Sequence, residues 1–241
     1  MTCDTRLAVK TVLPVVATLL LLIATHSSVF SGTFTDVTGS AGLNGTGFPF
    51  GNPIWGDFNH DGNLDLFVDN HYQEPPYLYR SNGDGTFTDI RPTSGLRALG
   101  DRHGSAWADF DNDGDLDLFI TKGARRGQTL GRKKDQFYEN LGGGQFRDIA
   151  EAAGVTNTFG RGRSVAWGDY DNDGYLDLLL GNTGTDLVLY KNHRDGTFID
   201  KTVQAGLGNL QYAECAFADY NNDGLTDIFC EIGRASCRER V

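Results

Sequence analysis

Positive charge is scarce in this chain: 21 Lys and Arg stand against 32 Asp and Glu, a formal net charge of −11. A surface built to hold nucleic acid is normally basic, so that class of partner is excluded. Methionine is nearly absent, while glycine (32), phenylalanine (15) and tyrosine (9) are plentiful. Glycine supplies the positive φ of tight turns and aromatic residues suit half-buried strands, so the balance points to strands and turns. Long apolar runs are also missing. The longest, Thr11 to Thr25, falls short of the roughly 20 residues that a membrane span requires.

That run has a different meaning at this position. Arg6 and Lys10 precede it and the small residues Ser27, Ser28 and Ser31 follow, as in a secretory signal covering residues 1–31 with cleavage after Ser31. The expected location is therefore secreted, extracellular or periplasmic, with no membrane span in the mature chain. Cysteine is sparse too. Cys3 lies in the expected signal and Cys237 in an abruptly basic stretch, 232–241, that breaks the pattern before it and is expected to be a non-native tail. Cys215 and Cys230 flank one loop almost symmetrically; a cross-strand disulfide and two small buried hydrophobes both fit.

One unit is written four times. Its acidic part runs Asp57, Asn59, Asp61, Asn63, Asp65 in the first copy and Asp109, Asp111, Asp113, Asp115, Asp117 in the second. The third reads Asp169, Asp171, Asp173, Tyr175, Asp177, and the fourth Asp219, Asn221, Asp223, Leu225, Asp227. A second landmark keeps step: Phe34, Phe87, Phe146 and Phe198, each followed eight residues on by Gly42, Gly95, Gly154 and Gly206. Two landmarks in one rhythm define a repeat protein. Within the third unit, Ser164–Trp167, Leu176–Leu180, Leu187–Lys191 and Thr197–Asp200 are four short segments separated by Gly, Asp and Asn turns. Such a unit is a four-stranded antiparallel meander, which cannot bury both faces alone. Repeated radially it gives an all-β fold, a β-propeller of four-stranded antiparallel blades, with about three and a half blades over residues 32–231. Gly32 to Val37 is expected to serve as an outer strand covering a sheet edge. Trp55, Trp107 and Trp167, with Phe217 in the fourth slot, precede each loop by two residues and are expected to pack between blades.

The loops lack histidine at a common position and lack thiolates, which excludes the softer metals. Oxygen donors at positions 1, 3, 5 and 9, a glycine at position 6 for the bend, and a backbone carbonyl at position 7 suit Ca²⁺. An EF-hand is excluded because position 12 is Val68, Ile120, Leu180 or Cys230, where that motif needs a bidentate Glu. The expectation is one calcium per loop, up to four in all, with weaker sites in loops one and four where Asn replaces Asp. The competing reading is a set of plain Asx turns.

These loops, with Val165-Ala-Trp-Gly168 before and Leu176-Asp-Leu178 after, resemble the FG-GAP repeats of integrin α-chain propellers. With Leu189-Tyr-Lys-Asn192 and Asp195-Gly-Thr-Phe198 included, the unit resembles still more closely the repeats of VCBS-type and cartilage-acidic-protein-like secreted proteins. The resemblance implies a propeller holding calcium between the first two strands of each blade. The expected role is an extracellular scaffold binding a protein or glycan, with calcium structural and no catalysis. The alternative is the propeller domain of a polysaccharide lyase or other carbohydrate-active enzyme. His60, His103 and His193 share no repeat position, and the acids are accounted for by the loops. An insertion from Thr121 to Gln136 carries six basic residues (Lys122, Arg125, Arg126, Arg132, Lys133, Lys134) and is expected to be a solvated loop or an anion contact.

Overall fold

The computed structural model describes residues 33–45, 53–70, 75–97, 101–123, 134–211 and 214–231. The chain divides into two compact units, 1–36 and 37–241. The first is described only at residues 33–36, and everything below concerns the second unless stated.

Three four-stranded antiparallel sheets follow one another, each with its strands adjacent in chain order. Blade one is β1 (Ile54–Gly56), β2 (Asp65–Val68), β3 (Tyr77–Ser81) and β4 (Phe87–Asp89). Blade two is β5 (Arg102–Ala108), β6 (Asp117–Lys122), β7 (Gln136–Asn140) and β8 (Phe146–Asp148). Blade three is β9 (Gly162–Gly168), β10 (Asp177–Asn182), β11 (Val188–Asn192) and β12 (Phe198–Asp200). A fourth sheet holds β13 (Glu214–Ala218) and β14 (Asp227–Glu231). First strands of successive blades adjoin, β5 against β9 and β9 against β13. The architecture is a β-propeller of three and a half blades.

Side-chain alternation explains why the sheets stack face to face. Successive residues of a strand point to opposite faces. Leu118 and Ile120 of β6 join Phe58, Phe67 and Leu78 of blade one, whereas Phe119 between them joins Leu178 and Leu180 of blade three. Leu179, pointing the other way from its neighbours, packs toward Phe217 and Ile228 of blade four. All six residues of β6 and all six of β10 are buried, and the centre of each, Leu118 to Ile120 and Leu178 to Leu180, is an unbroken apolar run flanked by buried polar residues. Each Leu or Phe so enclosed contributes about 1.5–3 kcal/mol. Trp107 and Trp167 fill the seams as expected, and Trp55 does not. Trp107 lies 5.8 Å from Phe58 and 6.2 Å from Phe67. Trp167 is 6.2 Å from Phe119 and 5.7 Å from Phe137. Trp55, on the outer face of blade one, is half exposed.

The second landmark is a latch between blades. The N–H groups of Phe87, Phe146 and Phe198 donate to the carbonyls of Ala41, Ser94 and Ala153, just before Gly42, Gly95 and Gly154. Gly95 has φ +84, and a Cβ there would sit 2.4 Å from the Phe146 carbonyl oxygen. Gly206 has φ +76 but open space around it. Gly95→Ala is therefore expected to cost about 3 kcal/mol, combining backbone strain with steric displacement, and Gly206→Ala only about 1 kcal/mol. Urea denaturation of the two variants checks the difference.

Three sequence expectations are resolved here. Cys215 and Cys230 are direct partners across β13 and β14 and form a disulfide, their Cα atoms 4.1 Å apart. Residues 33–37 form no strand and Phe34 is fully exposed. An outer strand pairs with the third strand of its blade, and the described part of the fourth sheet has only two strands. Of the basic insertion, 124–133 lie outside the described residues. Lys122 is not a solvated loop residue but buried, its N–H donating to the Asp135 carboxylate at 2.6 Å.

Candidate metal centres

Each acidic loop joins the first and second strands of a blade, and its shape follows from local hydrogen bonds. The position-1 carboxylate accepts from N–H groups across the bend: Asp61 and Gly62 onto Asp57, Asp173 and Gly174 onto Asp169, Asp223 and Gly224 onto Asp219, at 2.7–3.1 Å. Gly114 donates to Asp109 in the second loop at 3.1 Å. The glycines at position 6 take φ between +83 and +95, a conformation other residues resist. The Asx-turn reading is thus correct as far as backbone shape goes, but it leaves oxygens over. Asp109 Oδ1 is enclosed by protein and has no hydrogen-bond partner.

The ninth-position acid ties the loop to the rest of its blade. Its Oδ2 accepts the N–H of position 2 (Phe58, Phe110, Tyr170, Tyr220) at 3.1–3.4 Å. In the three complete blades its Oδ1 accepts an N–H from the end of the third strand: Ser81 to Asp65, Asn140 to Asp117 and Asn192 to Asp177, each at 2.8 Å. Asp65, Asp117 and Asp177 are almost wholly buried. Burial, opposed by those N–H donors and reinforced by neighbouring acids, pushes Asp117 up to about 8 and Asp65 and Asp177 up to about 6.

In loop two, carboxylate oxygens of Asp109, Asp111 and Asp117 lie within 4.8 Å of one another, and in loop three those of Asp169, Asp171 and Asp177 do the same. Like charges at such spacing repel, which favours a divalent cation among them. Asp111 is shifted upward by burial and by the charge of Asp113. Position 5 stands outside both trios; Asp173 instead meets Arg194 at 2.8 Å and Lys191 at 3.1 Å. Loops one and four, with Asn59 and Asn221 at position 3, form no such trio among the described residues. The position-7 side chains do other things. Asn63 donates to Asp61 at 2.9 Å, Asp115 meets His60 at 3.0 Å, Tyr175 lies under the Arg194 guanidinium, and Leu225 is exposed. A backbone carbonyl is what remains for a ligand at that position.

Two sets of residues escaped the sequence reading. Position 4 takes the left-handed conformation in all four loops (His60, Asn112, Asn172, Asn222), and in the first three its side chain bridges to the next loop, His60 to Asp115 in the first. Asn112 donates to the Gly174 carbonyl at 3.0 Å and Asn172 to the Gly224 carbonyl at 3.1 Å. Asn140 and Asn192, closing the third strands, donate at 2.8 Å to the carbonyls of Phe58 and Phe110 on the preceding blade. The recurrence of Asn at one repeat position was the available signal.

A propeller whose blades each carry an oxygen-rich loop between their first two strands defines a class, and the chain belongs to it. The FG-GAP-like repeat pattern matches residues 70–120, 128–180 and 172–230, more than half of the chain. Among curated proteins it is similar to cartilage acidic protein 1 of Xenopus tropicalis, 34% identical over 163 residues covering 63% of this chain and 23% of the relative. The Mus musculus protein of that name is 30% identical over 155 residues, covering 63% of this chain and 24% of the relative. The chain therefore spans about a quarter of the length of these relatives. A solved Agrocybe aegerita lectin structure, described for recognition of non-reducing terminal N-acetylglucosamine, aligns at 20% identity with a TM-score of 0.42. It covers 74% of this chain and 46% of that one.

Proposed function

We propose that this chain belongs to a secreted, calcium-loaded propeller that binds an extracellular protein or glycan, with calcium in a structural role. The observation that carries the proposal is the pair of carboxylate trios standing at the same place in successive blades. The residues that would hold the ions are the loop acids: Asp109, Asp111 and Asp117 in blade two, Asp169, Asp171 and Asp177 in blade three. Asp57, Asn59 and Asp65 correspond in blade one, and Asp219, Asn221 and Asp227 in blade four. A bound ion would supply charge neutralisation there, so that binding free energy becomes folding free energy. The Cys215–Cys230 disulfide suits an oxidising compartment, and the cartilage-protein relatives agree with that setting.

The ligand surface in this proposal is at the other end of the strands. A cleft of about 450 Å³ lies where β5, β9 and β13 begin, lined among others by His103, Arg163, Glu214, Phe229 and Glu231. An exposed aromatic ring beside charged groups of both signs suits a peptide or sugar. We assign it binding rather than turnover. The test is a panel of extracellular-matrix proteins and glycans probed with calcium-loaded protein. Retention of a ligand that is lost in Phe229→Ala with the melting temperature unchanged supports the proposal. Cleavage of a glycan in the same panel, or retention indifferent to the cleft, contradicts it.

A further inference from the structure

The third strand of each of the three complete blades places one charged side chain at a single repeat position. Arg80 pairs in register with Thr88, Glu139 with Arg147, and Lys191 with Ile199. In blade three the Lys191 ammonium forms ion pairs with both Asp171 and Asp173. Asp171 belongs to the trio Asp169, Asp171, Asp177, so an internal cation already sits on a carboxylate that an incoming ion would need. Arg194 reinforces it on Asp173 and stacks over Tyr175, 5.4 Å from the ring centre. Blade two is different. Glu139 stands at this position and pairs with Arg147 on β8, away from the loop. Among the described residues, no Lys or Arg forms an ion pair with Asp109, Asp111, Asp113 or Asp117.

We propose that this third-strand side chain sets the cation affinity of the adjoining loop, and that Lys191 is a built-in competitor at loop three. A divalent ion entering there must expel the ammonium or tolerate it as a near like charge. Loop two, with a full set of acids and no competitor among the described residues, fills first. Loop three is weakened although its acids at positions 1, 3, 5 and 9 match those of loop two, which the count of carboxylates alone does not show. In the metal-free protein the same lysine relieves repulsion between Asp171 and Asp173, holding the loop closed until calcium arrives. The inference rests on the calcium reading above and adds to it an order of filling and the residue that determines it.

The experiment is calorimetric titration of CaCl₂ into chelator-stripped wild type, Lys191→Met and Glu139→Lys, with melting in EGTA as the check on folding. Methionine keeps the length and apolar stem of lysine and removes only the charge. The expected result is that Lys191→Met tightens one of the weaker sites on the order of tenfold, since two partly exposed ion pairs no longer have to be broken. Glu139→Lys is expected to loosen the tightest site by a similar factor. The melting temperature of Lys191→Met in EGTA is expected to fall slightly, because a stabilising counter-ion is gone. If wild type binds calcium and both variants bind it with unchanged affinities, the competitor role is refuted while the metal sites stand. If none of the three proteins binds calcium, the metal reading fails and this inference with it.

Discussion

Excess EGTA is expected to lower the melting temperature of this protein by about 10–20 °C. Calcium sites in extracellular modules bind with Kd of about 10⁻⁴–10⁻³ M, so at about 2 mM calcium each loop gains about 0.7–1.8 kcal/mol. Four loops, not all at the strong end, sum to about 3–6 kcal/mol, and each kcal/mol moves the midpoint of a chain this size by about 2–4 °C. The pH dependence is expected to change with the ion. In the metal-free protein, burial holds Asp65 and Asp177 up to about 6 and Asp117 up to about 8. The folded state then keeps protons that the unfolded chain releases near pH 4, so stability is greatest below that pH and falls as pH rises toward 8. Buried Asp69 and Asp135, pushed up to about 6 and about 8, act in the same direction. The acids shifted downward, such as Asp84 and Asp195, are exposed and offset little. Calcium binds the ionised carboxylates, so its stabilising effect should be larger at pH 8 than at pH 5. Differential scanning calorimetry across pH 5–8, with and without calcium, reads both effects; equal melts with and without the ion at pH 8 would contradict the account.

Asp117→Ala and Asp111→Ala are expected to separate shape from ligation. Asp117 is buried and accepts N–H donors from Phe110 at 3.4 Å and Asn140 at 2.8 Å, joining loop to third strand. Removing it strands two donors, each costing about 1–3 kcal/mol, so the variant should lose about 3 kcal/mol or more even in EGTA. Asp111 accepts one long bond from the Asp113 N–H and otherwise faces other acids. In EGTA, Asp111→Ala should be neutral or slightly stabilising because a repulsion is relieved. In calcium it should be clearly destabilised relative to wild type, losing about 1–2 kcal/mol of linkage. Chemical denaturation of both variants in the two buffers gives the four numbers. Equal behaviour of Asp111→Ala in both would remove its ligand role.

What the sequence made legible was what repeats within one unit. Leu176 to Leu180 announce a strand, and the loop acids with their position-6 glycines announce a tight oxygen-lined turn. The eight-residue spacing from Phe to Gly was visible as a rhythm, but its reason was not, because the carbonyl that approaches Gly95 belongs to Phe146 on the next blade. The same distance hid Asn140, whose amide reaches a carbonyl 82 residues earlier, and Asn112, whose partner lies 62 residues later. Lys191 left no local mark, since a lysine on a third strand reads as an ordinary solvated side chain until Asp171 is placed beside it. The disulfide needed the register of β13 on β14, which two cysteines flanking a loop suggest without fixing.

The pairing of Gly32–Val37 with another strand was the expectation that geometry did not support among the described residues. A short polar-apolar alternation is only permissive, and the third strand it was to pair with is not in the described fourth sheet.

The account turns on cations held where the loop carboxylates converge, and a crystal structure grown in calcium reads that directly. Anomalous density centred among Asp109, Asp111 and Asp117, with these oxygens at about 2.3–2.6 Å from it, is the predicted result. Loops that keep the same backbone with water, or nothing, at that point would contradict it.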